Sequence, residues 1–418
     1  MSKIPPFLFT LLAGLSLAAC GGQSAATPMP LQSEVSTTTV APIRYDEIVM
    51  LSLHIEIENH IPAMYEPPTG AFLGAYIKRD ATFDSIRTFE DDMGVAHAIF
   101  AHTMALDDEY PLRWVLENIA LSKSPFIIVN PPTEGAAYDA ELLVAFAREA
   151  GRFNVPMFVN LFPLVDNHGF APSEYIALFR EARGILADYA PNVALVWGFD
   201  AQNMASSAQF YPGRDAADWI HLIIYNNVDI SGVFKDFFAY IDFFYFSYQQ
   251  KGPLIISTAA SHYALENNSY FTHEAAAKIE YIYGRLQEYP RIKAIIYRNY
   301  NDLHGNGNKY TINGARNIAE AYARATYTPH FLDHVENIRW PEVATTRMHS
   351  PFRAIMRNSY FYIPLRALMY DARFPYLEML EGKEVEINGE TFFAIADINR
   401  VSGADFFVDM RQNLLVLR

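Results

Sequence analysis

A single cysteine, Cys20, occurs among 418 residues, so no disulfide can form within the chain. Basic side chains are also few: 32 lysines and arginines face 47 aspartates and glutamates, a formal net charge of −15. A nucleic-acid partner needs a basic footprint and is not expected. A neutral ligand such as a sugar would be indifferent to this charge. The 12 histidines are scattered, and neither an H-x-x-x-H pair nor a carboxylate–histidine cluster lies on any one expected helix. No metal and no cofactor is therefore expected. G-x-S-x-G is missing, so a serine-hydrolase elbow is not indicated. Gly70 and Gly74 stand alone around the first strand-like run, which therefore lacks the glycine-rich phosphate loop of a doubly wound dinucleotide fold.

Hydrophobic residues are plentiful, at 51% of the chain with 14% aromatic, enough for one large domain plus a smaller one. At the N-terminus Lys3 supplies a positive region, and the apolar stretch Phe7–Leu17 is too short to span a bilayer as a mature helix. Leu17-Ala18-Ala19-Cys20 then resembles a bacterial lipobox. Residues 1–19 read as a lipoprotein signal peptide, with lipid added to the Cys20 thiol. Several acyl chains anchor firmly, since each buried CH₂ contributes about 0.8 kcal/mol. The expected location is the cell envelope, facing the exterior or the periplasm. Residues 20–44, rich in Gly, Ser, Thr, Ala and Pro, read as a flexible tether.

From residue 45 to 327 strand-like and helix-like segments alternate. The strand-like runs are Phe72–Lys78, His97–Met104, Phe126–Asn130, Pro156–Phe162, Val193–Gly198, Trp219–Tyr225, Leu254–Ala259 and Ile292–Tyr297. Helices are expected over Phe83–Met93, Pro111–Ser122, Asp139–Phe153, Ser173–Tyr189 with Ser173 as N-cap, Val233–Gln249, Thr272–Glu288 and Ile312–Ala325. The strands are continuous apolar runs, as buried parallel strands are. Eight such units match the size and order of a (β/α)₈ TIM barrel, whose ligands are met at the strand C-termini.

Two of these strands, with Trp197 and Asp200 at the end of one and Asp218-Trp219 opening the other, flank a loop carrying Tyr211-Pro212-Gly213. This order resembles the fifth and sixth strands of family 26 glycoside hydrolases, the β-mannanase type. The resemblance implies two catalytic glutamates, at the ends of the fourth and seventh strands. Where the family reads Arg-x-x-His-Glu, this chain has Asn160, Leu161, Phe162, Pro163 and Leu164; the nucleophile position falls on Thr258. A retaining glycosidase needs two carboxyl groups about 5–5.5 Å apart. Leu164 cannot donate a proton, and Thr258 without a base is a poor nucleophile. The resemblance thus implies the scaffold rather than the mechanism. The candidate carboxylates to stand in are Asp200, Asp166 and Glu134, with His102 and His168 as polar partners. Trp197, Tyr225, Tyr211 and Tyr297 are expected to stack on sugar rings, and Asn160, Asp200, Asn203 and Asn299 to hydrogen-bond hydroxyls. Trp219 begins its strand and is expected to pack at the far end. Two readings remain open: a surface lipoprotein that binds a β-linked, mannan-like polysaccharide or cell-wall glycan without efficient hydrolysis, or an endo-β-mannanase-like hydrolase using displaced carboxylates. A third is a structural subunit whose aromatic segment FKDFFAYIDFFYFSY docks a partner.

Residues 328–349 read as a connector, and 350–418 as a small α+β accessory domain. Ile363-Pro364-Leu365-Arg366, the Ile387-Asn388-Gly389-Glu390 turn and strands ending at Leu417 resemble the domain named after the N-terminal region of copper amine oxidases. Asn-Gly between strand-like runs is itself a hairpin signal. From Ser350 to Arg418 there is neither His nor Cys, so copper is not expected. A wall- or protein-partner-binding module is.

Overall fold

The structure is a computed structural model, and it describes residues 48–77, 85–132, 139–165, 169–302, 307–337 and 343–418. The chain opens with a long strand, β1 (Val49–His60), followed by β2 (Ala71–Ile77), α1 (Ile86–Met93), β3 (Ile99–Ala105), α2 (Leu112–Ala120) and β4 (Ser124–Asn130). Next come α3 (Ala140–Ala150), β5 (Met157–Leu161), α4 (Pro172–Tyr189), β6 (Val193–Asp200), β7 (Trp219–Asn226), α5 (Phe237–Tyr248) and β8 (Leu254–Ala260). A hairpin of β9 (Tyr263–Ala264) and β10 (Ser269–Tyr270) precedes α6 (Thr272–Arg285), β11 (Ile292–Asn299) and α7 (Arg316–Thr326).

Strands β2 to β8 and β11 pair in parallel, and β11 closes onto β2 with Ala294 opposite Phe72 and Asn299 opposite Ile77. This is a (β/α)₈ barrel. Both faces of each strand are buried, which explains the unbroken apolar runs. Phe72, Phe126, Ile128, Phe158, Trp219 and Ile296 fill the interior. Leu73, Phe100, Ile127, Val159 and Leu195 belong to the layer between strands and helices. Local signals set the helix ends. Ser85 caps α1 in a capping box with Thr88, and Gly94 stops it in the left-handed region at φ 64. In α4 the expected cap, Ser173, lies inside the first turn; Pro172 takes the N1 position, where its fixed φ suits the helix and its missing N–H costs nothing.

After β12 (Phe331–Leu332), which pairs with β2 in the barrel sheet, a second sheet is built from β13 (Ala344–Arg357), β14 (Tyr360–Pro364), β15 (Glu384–Ile387), β16 (Glu390–Ala394), β17 (Phe406–Asp409) and β18 (Leu414–Leu417), with α8 (Leu365–Tyr370) and α9 (Ile395–Ser402) between them in the chain. Its order is β15-β16-β14-β13-β1-β18-β17. The strand Val49–His60, counted with the barrel on sequence, thus lies in the middle of this other sheet. It pairs antiparallel with β13, which begins inside the stretch read as a connector. The reason is visible in its pattern. Leu51, Leu53 and Ile55 alternate with Ser52, His54 and Glu56, a period-two strand unlike the continuous runs of the barrel. The Asn388-Gly389 turn is as its sequence reads: both residues have positive φ, and Ile387 faces Glu390.

The two sheets are tied together through α5 and the barrel's N-terminal end. Arg291, 2% exposed, pairs with the equally buried Glu66 and donates to Thr346 of β13. Burial alone would raise Glu66, but the hydrogen bond with His60, the Arg291 charge and the Ala63 N–H together hold it at about 2. His54 and His349 lie opposite one another across β1 and β13, ring centroids 5.0 Å apart, and His349 packs on Tyr245, Phe246 and Tyr289.

Burial, and then the charge of Arg347, lowers His54 to about 4. Burial and the neighbouring His54 lower His349 to about 3. Both folded values lie below the ordinary one, so the unfolded chain takes up protons first. The stability these rings contribute is complete above about pH 6.5 and is lost as the pH falls toward the folded values. Urea unfolding at pH 7.5 and pH 5 should show a loss of about 2 kcal/mol for each such histidine. His54→Gln should shrink the loss by about that amount; an unchanged loss would place the acid sensitivity elsewhere.

Candidate functional site

Strand alternation decides which side chains reach the C-terminal mouth. Ala194 and Val196 point into the barrel, so Asp200 does as well. By the same count Thr103, Asn130, Tyr225 and Arg298 project from β3, β4, β7 and β11. With Asn226, Asn227, Asp236, Phe237, Tyr240 and Tyr310 they line an open cavity of about 620 Å³. Ile128 and Ile223 also line it. Tyr225 packs at 5.3 Å from Tyr310 and 6.2 Å from Tyr300, measured between ring centroids. Tyr310 is fixed in turn: its hydroxyl donates to Asn227, and its carbonyl accepts from the buried Tyr297.

Among the described residues lining this cavity, the carboxyl groups are those of Asp200 and Asp236. Each is engaged with nearby backbone. Asp200 Oδ1 accepts from the N–H groups of Gln202 and Asn203, at 3.1 and 2.9 Å, and from Asn203 Nδ2 at 2.9 Å. Asp236 caps α5 by accepting from Phe238 N–H at 3.0 Å. At the positions where the resemblance implies catalytic glutamates stand two groups that do not ionise. Leu164 is fully buried, its N–H on Gly198 and its carbonyl on the Asp200 N–H. Thr258 is 1% exposed, its hydroxyl accepting from Asn226 Nδ2 at 2.9 Å.

Deeper in the barrel lies a polar layer. Asn160 Nδ2 is 2.7 Å from His221 Nδ1, and His221 Nε2 is 2.8 Å from Ser257 Oγ. The order Ser–His–Asn has the look of a nucleophile and its base, but all three side chains are fully buried. Burial first, and Arg298 second, lower His221 to about 3, so the ring is neutral. With Nδ1 accepting from Asn160, the proton sits on Nε2 and is donated to Ser257, so the serine is not activated. Asn160 therefore braces the interior and does not reach a sugar. Gly198 is required beside it: a Cβ there would lie 2.6 Å from Asn160 Nδ2.

Tyr225 and Asp200 are thus at the mouth, whereas several other expected residues are not. Trp197 is one position out of phase with Asp200's inward set. It is 0% exposed and packs outward on Phe199, Tyr211 and Tyr248. Tyr211 lies in the same outer layer, its hydroxyl donating to the Lys251 carbonyl. Tyr297 faces Tyr322 of α7 and serves the mouth only through Tyr310. Asn299 accepts from the Ile312 N–H, Asn203 is bound to Asp200 and the Leu164 carbonyl, and His102 lies against Trp114. Trp219 fills the opposite end, its indole N–H on the Met64 carbonyl. Glu134, Asp166, His168 and Cys20 lie outside the described residues. Sequence reading missed Asn130, Asn226, Asn227, Tyr240 and Arg298. The available signal was polar residues closing apolar runs: Asn130 ends one, Asn226-Asn227 follow another, and Arg298 follows Ile295-Ile296-Tyr297.

No protein-family model and no curated protein matches the chain. Solved structures resemble it at low identity. An endo-β-1,4-mannanase from Cellulomonas fimi is 14% identical, with a TM-score of 0.46 over 65% of this chain and 77% of that one. A family 26 β-mannanase from Bacteroides ovatus is 12% identical, with a TM-score of 0.44 over 65% and 92%. A family 113 β-1,4-mannanase is 10% identical, with a TM-score of 0.42 over 64% and 100%. With TM-scores below 0.5 these likenesses carry no argument, and the barrel stands on its own strand order and closure.

Because Trp197 is a core residue, Trp197→Ala should cost about 3–5 kcal/mol of stability by leaving a cavity. Thermal or urea unfolding measures this. A variant as stable as the parent would contradict the outward placement.

Proposed function

We propose that the mouth of this barrel binds a β-linked polysaccharide of the mannan type and holds it without efficient cleavage, as part of a lipid-anchored protein at the cell surface. The observation that carries the reading is the make-up of the mouth cavity. Tyr225 and Tyr240 offer rings, with the buried Tyr310 behind Tyr225, and Asn130 and Asn227 offer amides around the same space. A pyranose presents an apolar C–H face to the former and hydroxyls to the latter. The Tyr-Pro-Gly loop between two strands, with its likeness to family 26 glycoside hydrolases, lends support.

Cleavage with retention requires a nucleophile and an acid at about 5–5.5 Å across the bond, and inversion requires roughly 6.5–9.5 Å with a water between. Leu164 and Thr258 can supply neither group. Asp200 and Asp236 keep the hydrolytic reading in view, because both line the cavity. Their hydrogen bonds to backbone N–H groups are those of turn and cap residues.

Purified protein should retain β-mannan or glucomannan in affinity electrophoresis while releasing no reducing sugar. Tyr225→Ala should weaken retention about tenfold, as expected for losing one stacking face. Steady release of oligosaccharide, abolished by Asp200→Asn, would install the hydrolase instead. Retention of nothing across a broad glycan panel would leave the structural-subunit reading. For the anchor, Cys20→Ala should move the protein from the membrane fraction to the soluble one; unchanged membrane retention would contradict lipidation there.

A further inference from the structure

The mouth holds a cation that the binding of a neutral sugar does not use. Arg298 ends the inward series Ala294, Ile296, Arg298 on β11 and lines the cavity. Its guanidinium carbon lies 4.5 Å from the centroid of Tyr76, 5.7 Å from Tyr225 and 5.9 Å from Tyr300. Three rings therefore fix the group in place. Its Nε is buried and, among the described residues, has no hydrogen-bond partner. Other arginines of this domain are treated differently. The buried Arg291 is paired with Glu66, and the more exposed Arg183 of α4 with Asp218, each carboxylate contributed by the fold. For Arg298 the described residues supply ring faces but no carboxylate.

A partly buried guanidinium without a counter-ion is costly, and cation–π contact offsets only part of that cost. The planar fork matches a carboxylate bidentately and does so best where water is excluded. Lys235 lines the same cavity and adds a second positive charge. Asp200 and Asp236 balance these two over the cavity as a whole, so a further anion is favoured only through direct pairing with Arg298, and a single charge there is favoured over the two of a phosphate monoester.

We propose that the polysaccharide bound here is acidic, with the carboxylate of a uronate residue paired to Arg298 while its pyranose ring lies on Tyr225. This rests on the glycan-binding reading above and narrows it to uronate-bearing chains.

Two ligands separate the claims. Oligomers of β-1,4-linked mannose and of β-1,4-linked mannuronate share linkage and ring, and differ by the carboxylate at C6. Calorimetric titration of the full chain in detergent should give at least about tenfold tighter binding of the mannuronate oligomer at low salt, with the gap narrowing as salt screens the pair. Arg298→Gln should lower mannuronate affinity to the level of the neutral oligomer. Arg298→Lys, which keeps the charge and loses the fork, should fall between. Equal affinity for the two oligomers would overturn the acidic assignment and leave the glycan-binding reading standing. Binding of neither would remove both. Displacement by inorganic sulfate as effective as by free mannuronate would mean a general oxyanion site and would overturn the uronate. If Arg298→Gln does not fold, the comparison of the two oligomers on the parent protein, with its salt dependence, still decides.

Discussion

In a closed parallel barrel every strand residue points either to the interior or to the surrounding helices, with nothing between. That alternation governs the whole molecule. On β6 it sends Trp197 and Phe199 outward into the helix layer, and Gly198 and Asp200 inward. On β7 it stacks Trp219, His221, Ile223 and Tyr225 along one line from the closed end to the mouth. The Asn160–His221–Ser257 layer lies beneath, and the last residues of β3, β4, β6, β7 and β11 are left to meet a ligand. The site is therefore built from a few side chains at these strand ends, completed by loops and by α5.

The second sheet depends on a different constraint. Because β1 pairs with β13 and β18, the start and the end of the described chain share one sheet. The buried Arg291–Glu66 pair fastens this sheet to the barrel through Thr346, and Tyr245 accepts from the backbone of both Arg291 and His349. Removing either charge would leave the other buried and uncompensated, a loss much larger than any surface ion pair contributes. The aromatic richness of α5 has its explanation here. Phe237 and Phe244 pack in the barrel's outer layer, while Tyr245 and Phe246 reach His349.

The barrel was legible because parallel strands buried on both faces leave continuous apolar runs, a local mark, although the cap expected at Ser173 falls inside the first turn of its helix. The Asn388-Gly389 hairpin was legible for the same local reason. The partner of the first strand was not, since pairing across some 290 positions leaves no local trace; the clue was the alternation of Leu51, Leu53 and Ile55. At the site, residue type was a weaker guide than phase. Trp197 has the chemistry of a sugar platform and the wrong parity, whereas Arg298 has the right parity just past a run that reads as core. A slip of one residue exchanges the two faces of a strand, so a motif quoted without its phase cannot say which side chain meets the ligand.

A mouth with rings and amides can hold a polysaccharide without any change of bonding, and cleavage would demand a proton donor and a nucleophile on opposite sides of the linkage. The central claim is that the first happens here without the second. Saturation-transfer NMR on a β-1,4-linked hexasaccharide, recorded repeatedly over days with the intact protein, tests both halves in one sample. The account predicts transfer to the ring C–H protons of the sugar, with the hexasaccharide spectrum unchanged throughout. Transfer accompanied by steadily growing reducing-end anomeric signals would contradict it.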